Sequence, residues 1–156
     1  VQLKKGDIIA VSGTGFLSEA IEVVTHSPVS HIAIVVNPEK LKLIEAYKDV
    51  RYRNLKDYKG MCNVYRVEHL EEEQLDKLID YLTQQLKKPY DYFDIVRELA
   101  RYTLGSTPIA EDGEAFICSS LCAMAYASIG IKLTDEPLPS PADIVASHKL
   151  TRVGGY

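Results

Sequence analysis

The chain has 156 residues, of which 46% are hydrophobic and 26% charged, with a formal net charge of -4. That length makes one domain, 1–156, with a substantial core, and the acidic balance excludes the basic surface that nucleic-acid binding requires. No apolar run approaches the roughly 18 residues of a membrane span, and "VQLKKGD" lacks the apolar core of a signal peptide.

In chain order, "DIIAV" from Asp7 suits a short strand, which "GTG" from Gly13 breaks. Phe16, Leu17, Ala20, Ile21 and Val24 follow at helical spacing and predict a short helix ending near "THSP". "HIAIVV" and "LKLIEAY" are rich in β-formers, and "NPEK" from Asn37 carries turn chemistry, so the pair reads as an antiparallel hairpin. "CNVYRV" from Cys62 extends that sheet. From Glu71 to Lys88, Leu75, Leu78, Ile79, Leu82 and Leu86 form one stripe, with acids at the start and lysines at the end, as the helix dipole favours. "YFDIVRELARYTL" from Tyr92 reads as a second amphipathic helix, and "STPIAEDGEA" as an exposed loop that, with the segment from Gly13 to Ser30, lines a cleft. In "AFICSSLCAMAYASIGIKL" an apolar strand becomes a helix that begins near Cys118, ends at Gly130, and packs through Leu121, Met124, Ala125 and Ile129. In "LPSPADIVAS", Ser140 caps a short helix with Pro141 in its first turn.

Three cysteines form no disulfide framework. Cys118 and Cys122 lie one helical turn apart, poorly oriented for a bridge, and the reduced state is expected. A free cysteine is usually a small buried hydrophobe, and Cys122 fits that role. A cysteine in the first turn of a helix instead faces unsatisfied backbone N–H groups and the positive end of the dipole, which favour the thiolate. The same amides bind an oxyanion.

A nucleophilic thiolate needs a histidine. His69 and His148 sit in polar surroundings, and His26 is accounted for by capping at a helix end. His31 opens an apolar strand, where rigid sheet fixes an imidazole, and is the candidate general base. Glu45 in "LIEAY" is the candidate orienting carboxylate. If Val35 pairs with Leu41, His31 and Glu45 are directly opposed, with Cβ atoms about 5 Å apart. A slip of one residue would put them on opposite faces. A zinc site from Cys118, His31 and His26 is disfavoured, because no close ligand pair such as C-x-x-C is present. No cofactor is implied.

These residues together resemble the papain-like amidases of the NlpC type, which carry "PY" upstream of "F-x-C-S-x-L", a histidine at a strand start and a polar residue on the next strand. Here "KPYDY" from Lys88 and "FICSSL" from Phe116 follow "SHIAIVV" and "LIEAY". The order His, Glu, Cys is that of the circularly permuted branch, the YiiX- and YycO-like proteins, related to the lecithin:retinol acyltransferase group. The early "GDII" and late "SPADI" belong to the same likeness, which covers most of the chain.

The resemblance implies an α+β, circularly permuted papain-like fold, with an antiparallel sheet packed against the helix that bears the nucleophile. It implies amide hydrolysis by Cys118, with His31 as base and Glu45 as orienter, and with the Cys118 N–H contributing to the oxyanion hole. Tyr90 matches the family tyrosine that helps bind the oxyanion or substrate. Ile117 and Ser120 replace the Asp and Gly of the unpermuted "D-C-S-G-L", which weakens transfer of a peptidoglycan substrate. The acyltransferase motif "N-C-E-H-F" is also absent. Three readings stand: a cysteine amidase or peptidase acting on a cell-wall peptide or an N-acyl, lipid-like amide; a thiol acyltransferase on lipids; and a non-catalytic ligand-binding module. Both a cytoplasmic protein and one exported after loss of a leader fit the sequence.

Overall fold

The computed structural model describes residues 1–13, 27–47, 49–86 and 114–156. The helices expected near Phe16 and from Tyr92, the loop "STPIAEDGEA", and the residues His26 and Tyr90 lie outside these segments.

Among the described residues, six strands form one antiparallel sheet: β1 (Ile8–Ser12), β2 (Val29–Asn37), β3 (Lys42–Ala46), β4 (Val50–Asn54), β5 (Cys62–Arg66) and β6 (Thr151–Gly155). Their spatial order is β4-β3-β2-β1-β5-β6. β1 and β2 hold the middle and are covered on both faces, so they read as nearly continuous apolar runs rather than as alternations. On one face, Ile8, Ala10, Ile32, Ile34 and Ile44 pack against three helices: α1 (Glu72–Gln85), α2 (Glu114–Ala127) and α3 (Pro141–Val145). On the other, Ile9, Val11, Ala33, Val35 and Leu43 are closed over by Leu55 and Tyr58 of a 3₁₀ turn, Leu55–Tyr58.

The hairpin forms, but in a different register from the one expected. Val35 pairs with Leu43, and Glu45 stands opposite Ala33 rather than His31. The turn takes in Leu41, which is left-handed at φ 53°, and Val36 is bulged out of the ladder before Asn37. Because the shift is an even number of residues, Glu45 keeps the face of His31 and becomes its diagonal neighbour. β4 and β6 were not anticipated: "VRYRN" alternates with arginines and "TRVGG" is glycine-rich, as exposed edge strands tolerate.

α2 starts four residues before Cys118 rather than beside it. Leu121, Cys122, Ala125 and Tyr126 form its buried stripe, whereas Met124, expected in the core, is exposed. At its end Ile131 N–H donates to the Tyr126 carbonyl and Gly130 N–H to that of Ala127, with Gly130 at φ +82°. This is a Schellman stop, the reason for a glycine there. α3 has the expected cap: Asp143 N–H donates to Ser140 Oγ, and the Asp143 carboxylate accepts the Ser140 N–H at 2.7 Å.

One buried pair anchors the entry to β1. Asp7 is fully buried, and its carboxylate accepts Arg66 Nε at 2.7 Å, Arg66 Nη2 at 2.8 Å and the Lys4 N–H at 2.7 Å. The Tyr126 hydroxyl donates to the Gly6 carbonyl, tying α2 to the same corner. The "GDII" motif is thus a clamp between helix and sheet, with buried charge satisfied on every side.

Candidate active site

His31 sits near the start of β2, opposite Val11 of β1. The next pair, Ser12 with Val29, skips Ser30, so a bulge lies immediately before the histidine. Such a bulge re-aims the side chain beside it. The ring is 1% exposed, and its Nε2 lies 3.0 Å from Glu45 Oε2.

Glu45 is the centre of a denser cluster than the sequence suggested. Its Oε1 accepts Arg51 Nε at 2.9 Å, and its Oε2 accepts the Tyr58 hydroxyl at 2.5 Å besides the imidazole. Arg51 comes from β4, directly across the ladder from Glu45. Tyr58 comes from the 3₁₀ turn, and its ring lies 5.9 Å from the imidazole, tilted by 47°. Burial opposes the charge on Glu45, but the bond and charge of His31 and the donors Tyr58 and Arg51 outweigh it and hold the carboxyl down at about 2. Burial pushes the Tyr58 phenol up, and Glu45 adds to the effect, so this hydroxyl stays a donor.

Cys118 faces His31 from α2. Burial alone would push the imidazole down, yet the charge and hydrogen bond of Cys118, followed by those of Glu45, raise it to about 9. The ring is therefore held between a thiol on one side and a carboxylate on Nε2, an arrangement that can move a proton to and from sulfur. Cys118 is 2% exposed and belongs to the core cluster between the sheet and α2. Its neighbour Ser119 donates to the Pro139 carbonyl at 2.5 Å, which fixes the helix against the segment leading into α3. Because α2 already runs from Glu114, the Cys118 amide lies past its first turn, a change from the expected helix start.

The structure thus brings together His31, Glu45 and Cys118, three of the residues singled out in the sequence, and Tyr90 lies outside the described residues. His69 and His148 are exposed, as expected. None of the three cysteines, all among the described residues, is in a disulfide. Burial pushes the thiols of Cys62 and Cys122 up, so neither competes as a thiolate. Arg51 and Tyr58 were missed. The alternation in "VRYRN" was a usable signal for Arg51, since a tight turn after Ala46 folds it back onto Glu45, whereas nothing local marks Tyr58.

A family model described as the permuted papain-like amidase enzymes, YaeF/YiiX, C92 family, matches residues 2–144. The uncharacterized protein YiiX of Escherichia coli strain K12 is 37% identical over 98 residues, which are 58% of this chain and 48% of YiiX. The match therefore spans about half the length of that curated relative. The crystal structure of yiiX from Escherichia coli O157:H7 has the same fold, with a TM-score of 0.74 at 24% identity over 100% of this chain and 99% of that one. That protein is described as a metalloprotein. In the present chain no three His, Cys, Asp or Glu side chains among the described residues are grouped to hold a metal. Both Glu45 oxygens already accept donors, so this cluster does not fit a metal site. No helix among the described residues is long and apolar enough to cross a membrane.

Proposed function

Because this chain belongs to the permuted papain-like amidase family of YaeF and YiiX, we propose that it is a cysteine hydrolase that cleaves an amide through Cys118, His31 and Glu45. The observation that carries this reading is the continuous contact from the Cys118 thiol through the His31 ring to a Glu45 carboxylate that three side chains hold ionised.

In the proposed reaction, Cys118 Sγ attacks the amide carbonyl and its proton resides on His31. The family resemblance offers the Tyr90 hydroxyl as a donor to the tetrahedral oxyanion. As the C–N bond breaks, His31 gives its proton to the departing amine, leaving a thioester on Cys118. Water then attacks the thioester with His31 as base, releasing the acid and restoring the thiol. Glu45 stays ionised throughout and holds the ring.

The substrate is a peptide amide, such as a cell-wall fragment, or an N-acyl amide. The near-complete burial of Cys118 and His31 favours a second reading, acyl transfer, in which an amine or alcohol replaces water in the last step. Intact-mass spectrometry after mixing the protein with short peptides and N-acyl amides tests the shared step. The expected result is an acyl adduct mapped to Cys118 that decays to free acid in water, or to a transfer product when an acceptor is added. Product formation with no adduct on Cys118, or an adduct on Cys62 or Cys122, would rule the reading out.

A further inference from the structure

Building on the thiol and imidazole reading above, we propose that Arg51 is a positioning residue that limits how tightly His31 holds its proton, by sharing the Glu45 carboxylate with the ring. The geometry is direct. Arg51 and Glu45 are register partners on β4 and β3, and the guanidinium takes Oε1 while the imidazole takes Oε2. Two cations on one carboxylate each weaken its attraction for the other.

That sharing matters because His31 must both accept and release a proton. It takes the proton as the S–C bond forms and returns it to nitrogen as the C–N bond breaks. A carboxylate committed to the ring alone would stabilise the imidazolium until it became a poor acid for the leaving amine. The Tyr58 hydroxyl on Oε2 acts in the same sense. Among the described residues, the groups facing the ring are Glu45 from β3, Tyr58 from the 3₁₀ turn and Cys118 from α2, while β1 presents apolar Val11. Arg51 faces Glu45 and Asp49 and lies 5.2 Å over the Tyr47 ring, and Arg53 lies 6.0 Å over the Tyr58 ring. With its side chain 33% exposed, Arg51 is not a core residue whose removal opens a cavity.

The test is an NMR titration of the His31 imidazole in the full chain, assigned by its loss in His31→Ala, for wild type, Arg51→Gln, Arg51→Lys and Cys118→Ala. Arg51→Gln raises the His31 midpoint by about one pH unit, and Arg51→Lys, which keeps the charge, restores most of the wild-type value. A merely structural arginine would change the melting temperature without raising that midpoint. A midpoint that is unmoved or lower in Arg51→Gln overturns the inference. If Cys118→Ala lowers the midpoint while Arg51→Gln leaves it unmoved, only the role of Arg51 fails. If Cys118→Ala leaves it unmoved, the thiol reading fails and this inference with it.

Discussion

Cys118→Ala loses amide turnover by a factor on the order of 10³ or more and keeps its fold. The loss is large because no second thiol can substitute. Cys122 points into the helix–sheet core and Cys62 lies on β5, two strands away from His31, both with thiols pushed up by burial. The fold survives because alanine suits a helix interior and removes only one buried sulfur, worth about 1 kcal/mol. Rates on a hydrolysable amide and thermal melts of both proteins check the two halves. Retained turnover would refute the nucleophile, and an unfolded variant would show Cys118 to be chiefly a packing residue.

Glu45→Gln has the second large effect, and the structure changes its expected character. From the sequence, an amide that still orients the ring is expected to lower the rate less than His31→Ala does. In the fold, Glu45 accepts on both oxygens, from Arg51 on one side and from Tyr58 and His31 on the other. A glutamine amide must turn its NH₂ toward one of those donor sets. We expect the variant to lose about 3 kcal/mol of stability, as when one partner of a buried charge pair is removed, and still to retain more turnover than His31→Ala.

The effect depends on pH with a definite sign. The lowered Glu45 group stabilises the fold fully above its ordinary value of 4.5, and that contribution is lost as pH falls through about 2. The raised His31 group stabilises it fully below 6.5, and that contribution is lost as pH rises through about 9. Both are complete between 4.5 and 6.5, so the melting temperature of Glu45→Gln falls furthest below wild type there. A uniform deficit at all pH values, or higher turnover in His31→Ala than in Glu45→Gln, would contradict these roles.

The parts legible in the sequence are those whose signal is local. β2 and β3 announce themselves by β-branched runs, α1 by its leucine stripe, and α3 by Ser140 and Pro141. His31 and Glu45 are legible because each sits inside such an element, and Cys118 because it lies in the long apolar run of α2. The register of the hairpin is not, because it depends on Leu41 adopting a left-handed conformation and on a bulge at Val36, which no propensity marks. The partners of Glu45 are hidden for a related reason. Arg51 lies on an edge strand whose one local signal is the alternation in "VRYRN", and Tyr58 reaches the carboxylate through a 3₁₀ turn with Asn54 as its cap. Such contacts are set by tertiary packing rather than by spacing along the chain.

The central claim is that Cys118 and His31 form a reactive pair, and the rate of iodoacetamide alkylation against pH tests it most directly. Mass spectrometry would follow Cys62, Cys118 and Cys122 separately in wild type and in His31→Ala. At about pH 6.5 an ordinary thiol with a pKa of about 8.5 is only about 1% thiolate. The expected result is rapid modification of Cys118 alone at that pH, lost in His31→Ala. Modification of Cys118 no faster than an ordinary thiol, or at an unchanged rate without His31, would contradict it.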